Sequence, residues 1–261
     1  MAAMSSQAAI IQPASGNGEL TVVLYNGATN NSFLVDLGKT LSSFDTTTNQ
    51  TFSLSSSPYY NTFLTNVGAG LITFGVLGGD STGLTSVANA KNLWLTSAAN
   101  STPPAPTNAN LSTRIGALDS YQQAHNGVSS GPLTSNHSTL TDGSSISVAA
   151  NTTSSFSTLN NGVVNPSGVS MVAVGGQAEL FKIATATGSA ATAIVTDFFS
   201  DTETPSNLGG YFTVDLTAGN LNYFGAPTTV VPPIPEASEW AMMLSGLGML
   251  GLMVRRRRNN I

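Results

Sequence analysis

The chain of 261 residues is 41% hydrophobic, only 8% charged and free of cysteine, which excludes disulfides, thiolate metal sites and a cysteine nucleophile. Residues 1–234 carry four basic against eleven acidic side chains, a net charge of −7, and such a body repels phosphate backbones and excludes a nucleic-acid partner. The apolar fraction is enough to close a core, so the chain reads as mainly folded, with a surface of Ser, Thr and Asn in place of charge.

In chain order, residues 1–8 ("MAAMSSQA") lack a basic segment and an apolar stretch, although Ser6-Gln7-Ala8 has the small-x-small form that precedes signal cleavage. They read either as the remnant of a signal peptide or as a short Ala/Ser terminus. Residues 9–225 form the body. "ELTVVLY" (19–25) alternates with period 2, and "SFLVDL" (32–37) follows across a turn-rich linker, which predicts a hairpin. "GLITFGVLG" (70–78), interrupted by Gly75, predicts a central strand with a bulge or a close packing contact there, and "NLWLTS" (92–97) another strand. In "LSTRIGALDSYQQAHNG", Leu111, Ile115, Leu118 and Tyr121 stand at helical spacing, with Ser112 as the N-cap and Gly127 past the end.

Strands resume at 145–150, 169–175, 178–185 and 193–200, and "YFTVDL" (211–216) with "LNYFG" (221–225) is the cleanest hairpin. Short strands between Gly/Ser/Asn turns predict a mainly β fold, an antiparallel β-sandwich of jelly-roll type with one or two short helices. Four prolines in 226–235 make an extended spacer across 226–234. Residues 235–261 then run through an apolar stretch into four arginines. Residues 240–254 are 15 apolar or small side chains, roughly 22 Å as a helix at about 1.5 Å per residue, against a bilayer core of about 30 Å. A short single membrane helix is therefore predicted, with Trp240 at one interface, Ala241, Ser245 and Gly248 as a small-residue stripe, Val254 at its end, and Arg255, Arg256, Arg257 and Arg258 on the cytoplasmic side.

The order of parts here, Pro235-Glu236-Ala237-Ser238, then the apolar helix, then the arginine run, resembles a PEP-CTERM sorting signal. The resemblance covers about a tenth of the chain and departs from the usual motif at Ala237, where a second proline is expected. It implies a protein exported by a biofilm-forming Gram-negative bacterium. Its tail would be read at Pro235, Glu236 and Ser238 by an exosortase, held transiently in the inner membrane by the helix, stopped by the arginines and then processed. The body is more loosely similar to PEP-CTERM proteins that open on a strand like residues 18–38 and close on one like residues 213–225.

Chemistry is sparse. The two histidines, His125 at the end of the predicted helix and His137 in a turn, read as surface or capping residues, and their spacing matches no common zinc motif. Asp197, Asp201 and Glu203 could supply oxygen ligands to Ca²⁺ but lack the EF-hand arrangement, so a solvated acidic loop is the expectation. Asp80 in "GGDSTG" suits a turn. Tyr59, Tyr60, Trp94, Tyr211 and Tyr223 could stack on sugars but read first as core or strand-face residues. The expectation is a non-enzymatic surface or matrix protein with no cofactor. The alternatives are a carbohydrate-binding module for extracellular polysaccharide, a glycan hydrolase, and a permanently anchored inner-membrane protein.

Overall fold

The computed structural model describes residues 10–126, 137–139, 145–147, 171–198 and 210–225. Contacts divide the chain into Met1–Pro227 and Thr228–Ile261, and all described residues lie in the first unit.

The fold is mainly antiparallel β. Strands β1 (Glu19–Asn26) and β2 (Asn31–Thr40) form the expected hairpin, with Asn26 opposite Asn31 and Tyr25 opposite Ser32. Its turn is held by Asn26, whose Oδ1 accepts from the Ala28 amide at 2.8 Å while its Nδ2 donates to the Val67 carbonyl at 2.9 Å. There follow β3 (Gln50–Ser53), α1 (Pro58–Asn66), β4 (Ile72–Asp80), β5 (Asn92–Ala98), α2 (Asn108–His125), β6 (His137–Thr139) and β7 (Ser145–Ser147). The chain continues with β8 (Val172–Ala173), β9 (Ala178–Ala184), β10 (Ile194–Asp197), β11 (Tyr211–Asp215) and β12 (Asn220–Phe224). All twelve strands among the described residues join one sheet, in the order β3-β12-β11-β9-β5-β4-β1-β2-β7-β6, with β10 beside β9 and β8 beside β4. The sheet curves into a nearly closed, barrel-like shape.

Both faces of its central strands are buried, which explains why β1 is apolar at successive positions. Leu20, Val22 and Leu24 point to an inner core shared with Phe33, Phe74, Trp94, Leu180, Phe212 and Tyr223. Val23 and Tyr25 point the other way, into a second core with Leu34, Leu77, Leu93 and the α2 residues Leu111, Ile115, Leu118 and Tyr121. Helix α2 thus covers the outer face of the central strands.

Helix α1 lies at the seam of the curve. Its Tyr60 and Phe63 rings pack on Phe33 of β2, at centroid distances of 5.9 and 6.1 Å, and the Tyr60 hydroxyl donates to the Leu216 carbonyl beyond β11 at 2.6 Å. The β11–β12 turn can approach this closely because Gly219 sits at φ 66°, where a Cβ would also lie 2.5 Å from that of Ser55. Phe44, on the segment after β2, closes the inner core against Trp94, Phe212 and Tyr223, with ring centroids 6.4, 5.9 and 4.8 Å away.

Several sequence expectations are corrected. Gly75 does not break β4: it pairs with Val23 within a continuous β1–β4 register from Thr21–Leu77 to Asn26–Ile72. The long helix begins three residues before Leu111, because Thr107, not Ser112, is its N-cap and accepts from the Asn110 amide at 3.3 Å. Gly127 lies outside the described residues. Helix α1 and strand β3 were not expected, and among the described residues 171–175 of the predicted strand 169–175 the strand is Val172–Ala173.

Candidate functional site

The sorting motif Pro235, Glu236, Ala237 and Ser238, the helix positions Trp240, Ala241, Ser245, Gly248 and Val254, and Arg255 to Arg258 all lie outside the described residues. Among the described residues no helix is long and apolar enough to cross a membrane. Asp197 ends β10 opposite Phe181, whereas Asp201 and Glu203 lie outside the described residues. No group of three or more metal-ligating side chains occurs among the described residues.

The aromatic candidates separate cleanly. Tyr60, Trp94 and Tyr223 are buried in the inner core, at 3%, 8% and 1% exposure, and cannot stack on a sugar. Their hydroxyls and indole serve packing: the Tyr223 hydroxyl donates to the Thr46 carbonyl at 2.9 Å, and burial together with the Asp45 carboxylate pushes its pKa up. Burial, with Asp215 nearby, likewise raises Tyr60. Tyr59 is half-buried against the same core. Tyr211 is half-buried on the opposite side of the sheet, stacked on Phe224 at a centroid distance of 4.9 Å with the rings 20° apart.

That pair begins an open face which α2 does not cover. Because opposed residues in a ladder share a face, Tyr211 with Phe224, Thr213 with Asn222 and Thr51, and Asp215 with Asn220 and Ser53 form three successive cross-strand rows. Thr51 Oγ1 donates to Asn222 Oδ1 at 3.0 Å. The result is a half-exposed ladder of hydroxyls and carboxamides, with an aromatic stack at one end and one carboxylate at the other.

The loops are held by turn chemistry. Asp80 Oδ1 accepts from the Thr82 amide and hydroxyl at 2.8 and 2.6 Å, as expected of a turn residue. Burial pushes its pKa up, but those bonds, the Asn17 amide and Lys91 together hold it below the usual carboxylate value. Asp45 is held low by the Thr47 hydroxyl and amide and by the Thr48 hydroxyl. A residue not singled out from the sequence, Asn108 in the first turn of α2, ties two loops together. Its Nδ2 donates to the carbonyls of Thr85, Ala186 and Gly188 at 2.9, 2.8 and 2.7 Å, and its Oδ1 accepts from the Ala186 amide at 3.0 Å.

His125 is not a surface residue. It is 1% exposed in the last turn of α2, edge-on to the Tyr121 ring at 4.2 Å, because it stands four residues after Tyr121 and so shares the helix face that packs on the sheet. Gln122, beside it, is fully buried and reaches Thr21 of β1. Burial raises the Tyr121 hydroxyl's pKa, partly offset by the Ser32 hydroxyl. A polar layer thus lies between α2 and the sheet, where sequence alone indicated an apolar helix face. His137 lies in β6, not in a turn.

No protein-family profile, curated protein or solved structure matches this chain.

Proposed function

We propose that this is an exported, non-enzymatic surface or extracellular-matrix protein whose residues 235–261 are a sorting signal processed by an exosortase. The single observation that carries the reading is the order Pro-Glu-x-Ser, apolar run, four arginines at 235–258. A body that closes on the β11–β12 hairpin at Phe224, just before the proline-rich spacer, is consistent with delivery of a folded module ahead of a removable tail. Export machinery, an exosortase and transiently the inner membrane are its partners. The curved sheet, whose β1–β2 and β11–β12 flanks share one inner core, is compatible with a jelly-roll-like sandwich, and we propose that class for the body.

The test is mass spectrometry of the C-terminal peptide from envelope and medium fractions of the host. A C terminus near 235–238 in released protein supports the reading. An intact arginine tail confined to inner membranes means a permanent anchor and overturns it.

A second reading, contact with neutral extracellular polysaccharide, is favoured by the open face around Tyr211 and Phe224. It predicts retardation of the body in affinity electrophoresis through the matrix glycan, lost in Tyr211→Ala. Equal migration of the two proteins would remove it.

A further inference from the structure

In the polar layer under α2, a hydroxyl and a carboxamide meet with water excluded. Thr21 on β1 and Gln122 on α2 are both 0% exposed, and Gln122 Nε2 donates to Thr21 Oγ1 at 3.2 Å. Thr21 in turn donates to the Leu77 carbonyl at 3.2 Å. Gln122 Oε1 has no hydrogen-bond partner among the described residues. A primary carboxamide is therefore buried with its carbonyl unsatisfied, an arrangement that carries a full desolvation cost. Two ionisable groups belong to the same layer. Asp36, 4% exposed, is the cross-strand neighbour of Thr21 on the same face of the β1–β2 ladder, and His125 stands three residues after Gln122 on α2.

We propose that Thr21 and Gln122 join in an autocatalytic intramolecular ester cross-link between β1 and α2. The Thr21 hydroxyl oxygen attacks the side-chain carbonyl carbon of Gln122. A C–O bond forms, the C–N bond breaks, and the hydroxyl proton departs with the amide nitrogen as ammonia. No oxidant, reductant or cofactor is consumed, and the protein loses the mass of one ammonia. Hydroxyls are weak nucleophiles until a neighbouring group accepts the proton, and the Asp36 carboxylate beside Thr21 is placed for that task. Fixed proximity in a dry site supplies the remainder of the advantage.

The product suits its surroundings. Forming the ester removes the two amide N–H donors and leaves a weaker acceptor in place of the unsatisfied carboxamide oxygen. Thr21 and Gln122 are 101 residues apart, so the bond would close a long loop and constrain the unfolded chain in the way a disulfide does. The chain has no cysteine to make a disulfide.

The experiment is peptide mapping of the denatured full chain. Trypsin cuts after Lys39, Arg114 and Lys182, so the cross-link joins the peptide ending at Lys39 to residues 115–182, lighter by one ammonia than their sum. Localisation to that pair is essential, because succinimide formation at Asn-Gly and cyclisation of an N-terminal glutamine each also expel one ammonia. Hydroxylamine should split the pair and leave a hydroxamate on Gln122. Thr21→Val and Gln122→Met should give separate peptides, whereas Thr21→Ser, which keeps the nucleophile, should give the cross-linked pair. Asp36→Asn should slow its accumulation after refolding. Recovery of the two wild-type peptides separately, each at its sequence mass, overturns the proposal, as does a pair that persists in a folded Thr21→Val protein.

Discussion

Asn126, just past the end of α2, holds the backbone of Ile10 from both sides: its Nδ2 donates to the Ile10 carbonyl at 2.8 Å and its Oδ1 accepts from the Ile10 amide at 2.9 Å. The side chain thus imitates a strand partner for a residue 116 positions away. It seats Ile10 in the outer core, and the Ala14 amide, bonded to Asp119 Oδ1 at 2.8 Å, continues the attachment along α2. Asn126→Ala should cost about 1–3 kcal/mol, the range for partly buried hydrogen bonds lost in pairs. Hydrogen exchange should show the loss concentrated at residues 10–16, while the β1–β2 amides stay protected. Uniform acceleration across both segments would mean that the clamp is a global rather than a local fastening.

The inner core depends on a side chain from an irregular segment. Phe44 contacts three aromatic rings, from β5, β11 and β12. Phe44→Ala should destabilise the protein by about 3–5 kcal/mol, as large-to-small aromatic changes in cores do. Phe44→Leu should cost visibly less. Urea unfolding monitored by Trp94 fluorescence measures both, since Trp94 lies against the vacated space.

Legibility from sequence followed the length and regularity of each element. β1, β2, β4, β5, β9 and the β11–β12 hairpin were legible because each combines an apolar run or alternation with turn residues at its ends. Helix α1 was missed although Ser57 and Pro58 stand at N-cap and first-turn positions, since Tyr, Thr and Asn dominate its sequence and are poor helix formers. β3 has four residues, too few for alternation to register against a Ser/Thr-rich background. The polar layer under α2 was invisible for a different reason. Thr21, Gln122 and His125 are brought together by packing alone, and polar residues at helical spacing read as a solvent face until the sheet is found beneath them. Of the two readings of Gly75 the register removes the bulge: in a strand buried on both faces, a glycine can stay paired without one.

Asn108 should behave as a loop anchor. Two N–H groups are shared among three carbonyls from two loops, all of which lose a donor if the carboxamide is removed. Asn108→Ala should cost roughly 2–4 kcal/mol, several net hydrogen bonds at a buried site. Asn108→Asp should be worse than Asn108→Ala at neutral pH, because a carboxylate would face the same three carbonyl oxygens. Thermal melts at pH 7 give the ranking, and the reverse order would show that the side chain's volume matters more than its donors.

Alkaline stability should be limited by the buried phenols. Tyr60, Tyr121 and Tyr223, three of the six tyrosines, have pKa values raised above 10.0 by burial. A raised folded pKa means that the unfolded chain releases these protons first, so their contribution to stability is complete below pH 10 and declines as the pH rises past it. Unfolding midpoints in urea should therefore fall between pH 10 and 12, with no such loss between pH 7 and 9. Absorbance titration should show two populations: tyrosines that ionise reversibly in the folded protein, and a second group that ionises only as Trp94 fluorescence reports unfolding. Tyr223→Phe should reduce the slope of the alkaline loss, because one linked proton is removed, although the missing bond to the Thr46 carbonyl lowers the midpoint at every pH. A slope unchanged by Tyr223→Phe would assign the alkaline transition to other groups.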